Sequence, residues 1–182
     1  MRFFSTKDDT TRLVELCRNG NSRAQYELYQ RYSKAMFNTA LRIVGNREEA
    51  EDVLQDSFLD GFLKIENFRG ESTFGAWLKS IVVNKSIARL RNQRIHWEDL
   101  DGKENFEEGE DVDFEETEET IERIKVILTE LPSGYRVVLN LYLFEGYDHR
   151  EIGNILGISE VTSRSQFIRA KQKLVELYKK RR

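Results

Sequence analysis

The sequence predicts an all-α protein of two small helical units joined by an acidic connector. Apolar residues recur at helical spacing through most of the chain, while the two-residue alternation of strands is nearly absent. Pro132 is the single proline. Charge falls in three blocks: residues 1–94 hold 16 Lys/Arg against 12 Asp/Glu, residues 95–120 hold 1 against 13, and residues 121–182 hold 12 against 7. The net charge of −3 therefore conceals two mildly basic units around an acidic stretch, and does not argue against a polyanionic partner.

The chain begins MRFFSTKDDTTRL, without the apolar core and cleavage site of a secretory leader. After Asn21 and Ser22, the positions Leu28, Tyr32, Ala35, Met36, Leu41 and Val44 approximate a helical period that stops at Gly45. Asn46 with Glu49 is a capping pattern opening a helix over 47–65. Its inner face is Ala50, Val53, Leu54, Phe58, Phe62 and Ile65; its other face carries Glu51, Asp52, Gln55, Asp56, Leu59 and Asp60. Phe74, Trp77, Leu78, Ile81 and Ala88 carry a further helix over 73–94. In residues 96–119 the apolar positions have no sustained period, and like charges at this density repel and extend a chain, so the segment reads as a linker. Helices over 117–130 and 133–144 follow, separated by Pro132, which a helix start tolerates. The resulting division is 1–94, an acidic linker 95–117, and 118–182.

Several function classes start poorly. Cys17 is the lone cysteine, and His96 and His149 lie far apart, so no metal-ligand spacing arises and no metal or cofactor is expected. There is no P-loop and no Ser/His/Asp pattern, which speaks against an enzyme and a small-molecule substrate. No apolar run approaches a bilayer span, so direct membrane insertion is not expected, and the single thiol suits a reducing cytoplasm.

The most specific local signal is DHREIGNILGISEVTSRSQFIRAKQKL, residues 148–174. Ile152, Ile155 and Leu156 form an apolar face, small Gly153 admits close packing, and Gly157 is free to take a positive φ in a turn. Ser159 then caps a helix whose inner face includes Phe167, Ala170 and Leu174 and whose outer face offers Thr162, Arg164, Ser165, Arg169 and Lys171. From Val161 onward there are eight Lys/Arg against Glu176 alone. Such a helix-turn-helix suits a DNA major groove, early residues at base edges and later cations on phosphates.

A second constellation is NFRGESTFGAWL, residues 67–78, set between the acidic helix face and a helix bearing Lys79, Lys85, Arg89, Arg91 and Arg94. Aromatics such as Phe68 and Phe74 beside cations suit unpaired bases, each stacked base being worth ~1–3 kcal/mol. Trp77 and Leu78 fall on the apolar stripe and read as mostly core, Phe74 as a border residue serving both purposes, and Asn67–Ser72 as ligand-facing. The border is expected near Thr73.

Together, AEDVLQDSFLDGFLKIENFRGESTFGAWLKSIVVNKSIARLR, the acidic linker, and LPSGYRVVLNLYLFEGYDHREIGNILGISEVTSRSQFIRAKQKL resemble a bacterial sigma-70-family factor. More narrowly the chain is similar, over about residues 20–178, to the extracytoplasmic-function group, which keeps only regions 2 and 4. The resemblance implies a region 2 bundle and a region 4 helix-turn-helix. It implies core RNA polymerase as partner, through its β′ clamp and β flap, together with promoter DNA and an anti-sigma factor. Asp52, Gln55, Asp56 and Leu59 match the clamp-docking helix. Asn67, Phe68, Arg69, Gly70, Glu71 and Ser72 match the minus-ten loop that captures a flipped base, with Phe74 at its rim. Lys79, Asn84, Lys85 and Arg89, with Trp77, match the strand-separating region, and residues 159–171 the minus-thirty-five recognition helix. The linker takes the place of one that runs through polymerase. Two positions depart from the family pattern. Ser163 stands where an aliphatic residue usually follows the threonine, and Val161 where the residue is often small. The helix is still expected to pack through Phe167 and Leu174. Two competing readings are a polymerase-independent dimeric helix-turn-helix regulator and an all-α hydrolase. The first needs residues 66–74 for packing only; the second lacks a nucleophile–base pair.

Overall fold

The computed structural model describes residues 6–92 and 117–181, with side chains from residue 9 onward. The acidic linker lies almost wholly outside the described residues. Eight α-helices and a short 3-10 turn make up the described chain, with no strand among its residues. They are α1 Thr6–Arg18, α2 Ser22–Val44, α3 Arg47–Leu63, the 3-10 turn Ile65–Asn67, α4 Phe74–Asn92, α5 Glu118–Glu130, α6 Ser133–Leu143, α7 His149–Leu156 and α8 Glu160–Lys180. They fall into two compact units. One takes in α1, α2 as far as Leu41, and Asn46–Ala88; the other takes in Arg42–Gly45, the end of α4 from Arg89, and α5–α8.

Most helix starts are chosen by a side-chain oxygen that satisfies an otherwise orphaned backbone N–H. Asn46 accepts from the Glu49 amide at 3.0 Å, and Glu48 and Glu49 place negative charge at the positive end of α3. Thr73 accepts from the Ala76 amide at 3.2 Å, and so begins α4. Thr117 does the same for α5 at 3.2 Å. Asp148 and Glu151 form a reciprocal capping box on α7. The expected helices therefore appear with ends shifted by a few residues at most, and α8 runs on to Lys180.

Helix α1 was not anticipated. Leu13, Val14 and Cys17 are its buried residues, a pattern spanning little more than one turn that carries weak periodic signal. Burial pushes the Cys17 thiol up to about 11, which leaves it in the unreactive protonated form.

The first unit is closed by Leu28, Val53, Phe58, Leu78 and Val82, all nearly or wholly inaccessible. Of the expected inner face of α3, Ala50, Val53, Leu54, Phe58 and Ile65 are buried and Phe62 is half-buried. In the second unit α8 packs against α5, α6 and α7. Leu128, Leu131, Leu139 and Ala170 form its core, with Phe167 and Leu174 against them. Gly157 has φ +74° and its amide donates to the Gly153 carbonyl, closing α7. At Gly153 an added Cβ would stand 2.8 Å from the Ile158 carbonyl oxygen, so the turn passes close over this helix.

Gly157→Ala forces a side chain into the left-handed region. We expect it to lower the stability of the second unit by about 1–2 kcal/mol, read as an earlier denaturation midpoint by circular dichroism of the full chain.

Candidate functional site

The stretch 67–78 divides sharply. Phe74 is 2% exposed and meets Tyr32 edge-on at 5.5 Å, Phe68 at 5.8 Å and Trp77 at 5.7 Å. Phe68 and Trp77, both half-buried, lie 5.4 Å apart. This is a packed aromatic cluster with the tilted and edge-to-face geometries that ring quadrupoles prefer. Beyond it, Asn67, Arg69, Gly70, Glu71, Ser72 and Thr73 are exposed. The border of burial thus falls at Thr73, as expected. Phe74, however, is core alone: three rings cover it and leave no face for a base. Trp77 is mostly core, as expected, half-buried against Phe68 and Phe74.

What holds the loop was invisible in sequence. Arg18, at the end of α1, donates through Nη2 to the Phe68 carbonyl at 2.5 Å and through Nη1 to Glu15 at 2.5 Å. Its Nε lies 3.9 Å from Glu66. A charged donor on a half-buried carbonyl is a strong kind of hydrogen bond, and it ties the loop's second residue to a helix fifty positions earlier. No local pattern marks an arginine for this.

On α4, Asn84 is exposed, and Lys79 and Arg89 are half-buried. Lys85 differs from the expectation of a cation open to phosphate: its Nζ sits 3.1 Å from Asp60, which also takes Lys64 at 3.1 Å. Hydrogen bonds from Lys64 and then Lys85 hold the Asp60 carboxyl below its ordinary range. Much of the Lys85 charge is thereby already answered within the unit. Arg94 lies outside the described residues.

The far face of α3 presents Asp52, Gln55 and Asp56 to solvent beside Leu59, which is 59% exposed. Leu63, one turn on, is 73% exposed and extends that face; the sequence reading missed it. Two leucines four apart outside the core, flanked by acids, form a stripe that a soluble helix gains nothing by displaying alone.

On α8, Arg164 and Lys171 are exposed, and Thr162 and Ser165 are half-buried. Arg164 is steadied by Glu160 at 2.6 Å. Arg169 departs from the expected outer face and is buried. Ser163, Gln166, Arg169 and Ala170 are the buried positions of this helix, a three-and-four spacing that places Arg169 on the inward stripe. Glu176 takes Lys173 at 2.8 Å and Lys180 at 2.5 Å, and these bonds bring its carboxyl down to about 2. Two of the tail's cations are thus engaged locally.

Ser163 is wholly buried, and its hydroxyl lies 3.0 Å from His149 Nδ1. The His149 ring stacks on Tyr142 at 4.6 Å and 15° and meets Phe167 at 5.5 Å. Burial first, and then the nearby Arg164, hold the imidazole below its ordinary value. The polar residue at an aliphatic position therefore has a polar partner, and α8 packs as expected.

Two family models match the chain, sigma-70 region 2 over residues 28–95 and sigma-70 region 4 over residues 121–174. The RNA polymerase sigma-H factor of Pseudomonas aeruginosa is 30% identical over 92% of each chain. The ECF RNA polymerase sigma-E factor of Haemophilus influenzae is 32% identical over 88% of this chain and 90% of its own. This chain belongs to the extracytoplasmic-function group of the sigma-70 family. It is a sigma factor, and its relatives are transcription initiation factors rather than enzymes. Both regions match in order, which does not favour the dimeric regulator. Among solved structures, a sigma factor RpoE in complex with the anti-sigma factor NepR from Bartonella quintana shares the fold, with TM-score 0.57, 23% identity, and coverage of 85% of this chain and 96% of that one. CnrH in complex with the cytosolic domain of CnrY gives TM-score 0.52 at 24% identity, covering 92% and 95%. Among the described residues no helix is long and apolar enough to cross a membrane, and no group of His, Cys, Asp and Glu is arranged to hold a metal.

Arg18→Ala removes the tie to Phe68. The Asn67 and Phe68 amides, which donate to the carbonyls of Lys64, just before the 3-10 turn, and Ile65, its first residue, should then exchange roughly tenfold faster, the equivalent of a charged hydrogen bond at the weak end of its range. Hydrogen exchange by mass spectrometry reads this, with Arg18→Lys intermediate.

Proposed function

We propose that this sigma factor binds core RNA polymerase and directs promoter-specific initiation through three surfaces. The α3 face of Asp52, Gln55, Asp56, Leu59 and Leu63 docks on the β′ clamp. The loop Asn67–Ser72, with the exposed part of Phe68, captures an unpaired minus-ten base. The α8 side chains Thr162, Arg164, Ser165 and Lys171 read a duplex minus-thirty-five element. Residues 1–94 and 118–182 act as the working domains, the latter also meeting the β flap, and residues 95–117 act as the linker between them. A cytoplasmic location and an anti-sigma partner accompany this role; the two solved relatives with anti-sigma partners support the second.

The observation that carries the proposal is the exposed polar loop standing on a buried aromatic platform and tied down by Arg18. Flipping a base out of a duplex costs a few kcal/mol. A loop already ordered in its binding shape spends less of its interaction energy on ordering itself, so more remains to offset that cost. Strand opening is then the binding of a minor, melted state of the promoter. Asn84 and Lys79 on α4 lie along the same unit and extend the interaction to phosphates.

The proposal divides labour between the two faces of one unit, and that division is testable with two sets of substitutions. Exchanging Asn67, Arg69 or Glu71 for alanine should reduce open-complex formation or shift minus-ten preference with core binding intact. Asp52→Ala with Gln55→Ala should weaken core binding while leaving the folded unit able to bind a single-stranded minus-ten oligonucleotide. Fluorescence anisotropy on core and permanganate footprinting on promoter DNA separate the two. Loss of both activities in both sets would refute the division.

A further inference from the structure

This inference rests on the proposed role of α8 and deepens it. We propose that His149 and Ser163 are a positioning pair for recognition of the upstream element: their buried hydrogen bond sets the rotation of α8 against α7, and so decides which α8 side chains meet base edges. Ser57 and Ser86 are also wholly buried on helices, and each bonds the carbonyl four residues back in its own helix, Val53 at 2.6 Å and Val82 at 2.8 Å. Ser163 is equally buried but directs its hydroxyl across to another helix, at 3.0 Å from His149 Nδ1. The partner ring is itself fixed, stacked on Tyr142 of α6 and edged by Phe167 of α8. Apolar contacts are non-directional and tolerate small rotations, whereas a hydrogen bond sealed from water constrains distance and angle and penalises a stranded partner. Successive helical residues are set about 100° apart, so the rotation that Ser163 imposes passes directly to its neighbours Thr162, Arg164 and Ser165.

The pair brings a pH signature. The charged groups facing His149 are Arg164 and Glu160 on α8 and Asp148 at the cap of α7; from α6 it meets the Tyr142 ring. Burial and Arg164 disfavour the imidazolium, and they outweigh Glu160 and Asp148. The unfolded chain therefore takes the proton more readily than the folded one. The contribution is complete above the ordinary imidazole value of about 6.5 and is lost as pH falls through the lowered folded value. Added positive charge by itself strengthens DNA binding on acidification, so the two effects have opposite signs.

The test uses holoenzyme reconstituted with core RNA polymerase. Its probes are a duplex bearing the consensus that the wild-type holoenzyme selects from a library randomised upstream, and a scrambled duplex. As the pH is lowered from about 7.5 to the lowest value at which far-ultraviolet circular dichroism is unchanged, the ratio of selected to scrambled affinity should fall, by no more than about tenfold per pH unit for one linked proton. His149→Asn, whose amide places a polar atom near Nδ1 without titrating, should retain part of the ratio and flatten its pH profile. His149→Phe combined with Ser163→Val, an apolar replacement of the pair, should flatten it as well. A wild-type ratio that does not fall, or one profile shared by wild type and His149→Asn, would overturn the proposal. Failure of the role of α8 itself is seen separately, as unchanged selected-duplex affinity in Thr162→Ala and Arg164→Ala.

Discussion

Packing around the Phe74 ring is the constraint on which the exposed-loop side of the first unit depends. Phe74 opens α4, and its neighbours come from three places in the chain: Tyr32 on α2, Phe68 after the 3-10 turn, and Trp77 one turn along α4. Bringing these rings together fixes where α3 ends, where α4 begins and which way the intervening loop must emerge. With Phe74 sealed beneath, Asn67 and Arg69–Thr73 have only polar or small side chains left to offer, and all of them reach solvent. The same packing explains why the loop needs a second tie. An aromatic cluster restrains rings but not carbonyls, and Arg18 supplies a donor to the Phe68 carbonyl where the backbone turns outward.

In the second unit the corresponding hub is α8, which packs against α5, α6 and α7 at once. In the proposed role α8 must also present a surface to DNA, which makes its rotation a functional variable. The inward stripe is unusually polar, with Ser163, Gln166 and Arg169 buried beside Ala170. A polar interior is costly unless its groups find partners. Ser163 finds such a partner in His149.

Charge in this protein is better described by where it is spent than by its total. Lys64 and Lys85 share Asp60, Lys173 and Lys180 share Glu176, and Glu160 steadies Arg164. Exposed pairs of this kind contribute little to stability, but they trim the set of cations open to phosphate. Asp52 and Asp56, by contrast, stand beside the exposed Leu59 and Leu63, a mixture of acid and apolar surface suited to a basic, partly apolar protein partner.

By itself the sequence determined the helical class, seven of the eight described helices, the helix-turn-helix, and the break between core and surface near Thr73. Those properties are local: caps, periodicity, a glycine at a left-handed turn and the run of small polar residues are all written within a few positions of one another. Tertiary structure alone decided five things. It buried Phe74, turned Arg169 inward, engaged Lys85 with Asp60, and joined Arg18 to Phe68 and His149 to Ser163. Each of these depends on which faces of different helices meet, and residue type does not announce it. An arginine on a basic helix reads as surface until packing shows which side of the helix it occupies, and a serine at an aliphatic position reads as a defect until its partner on the neighbouring helix is seen.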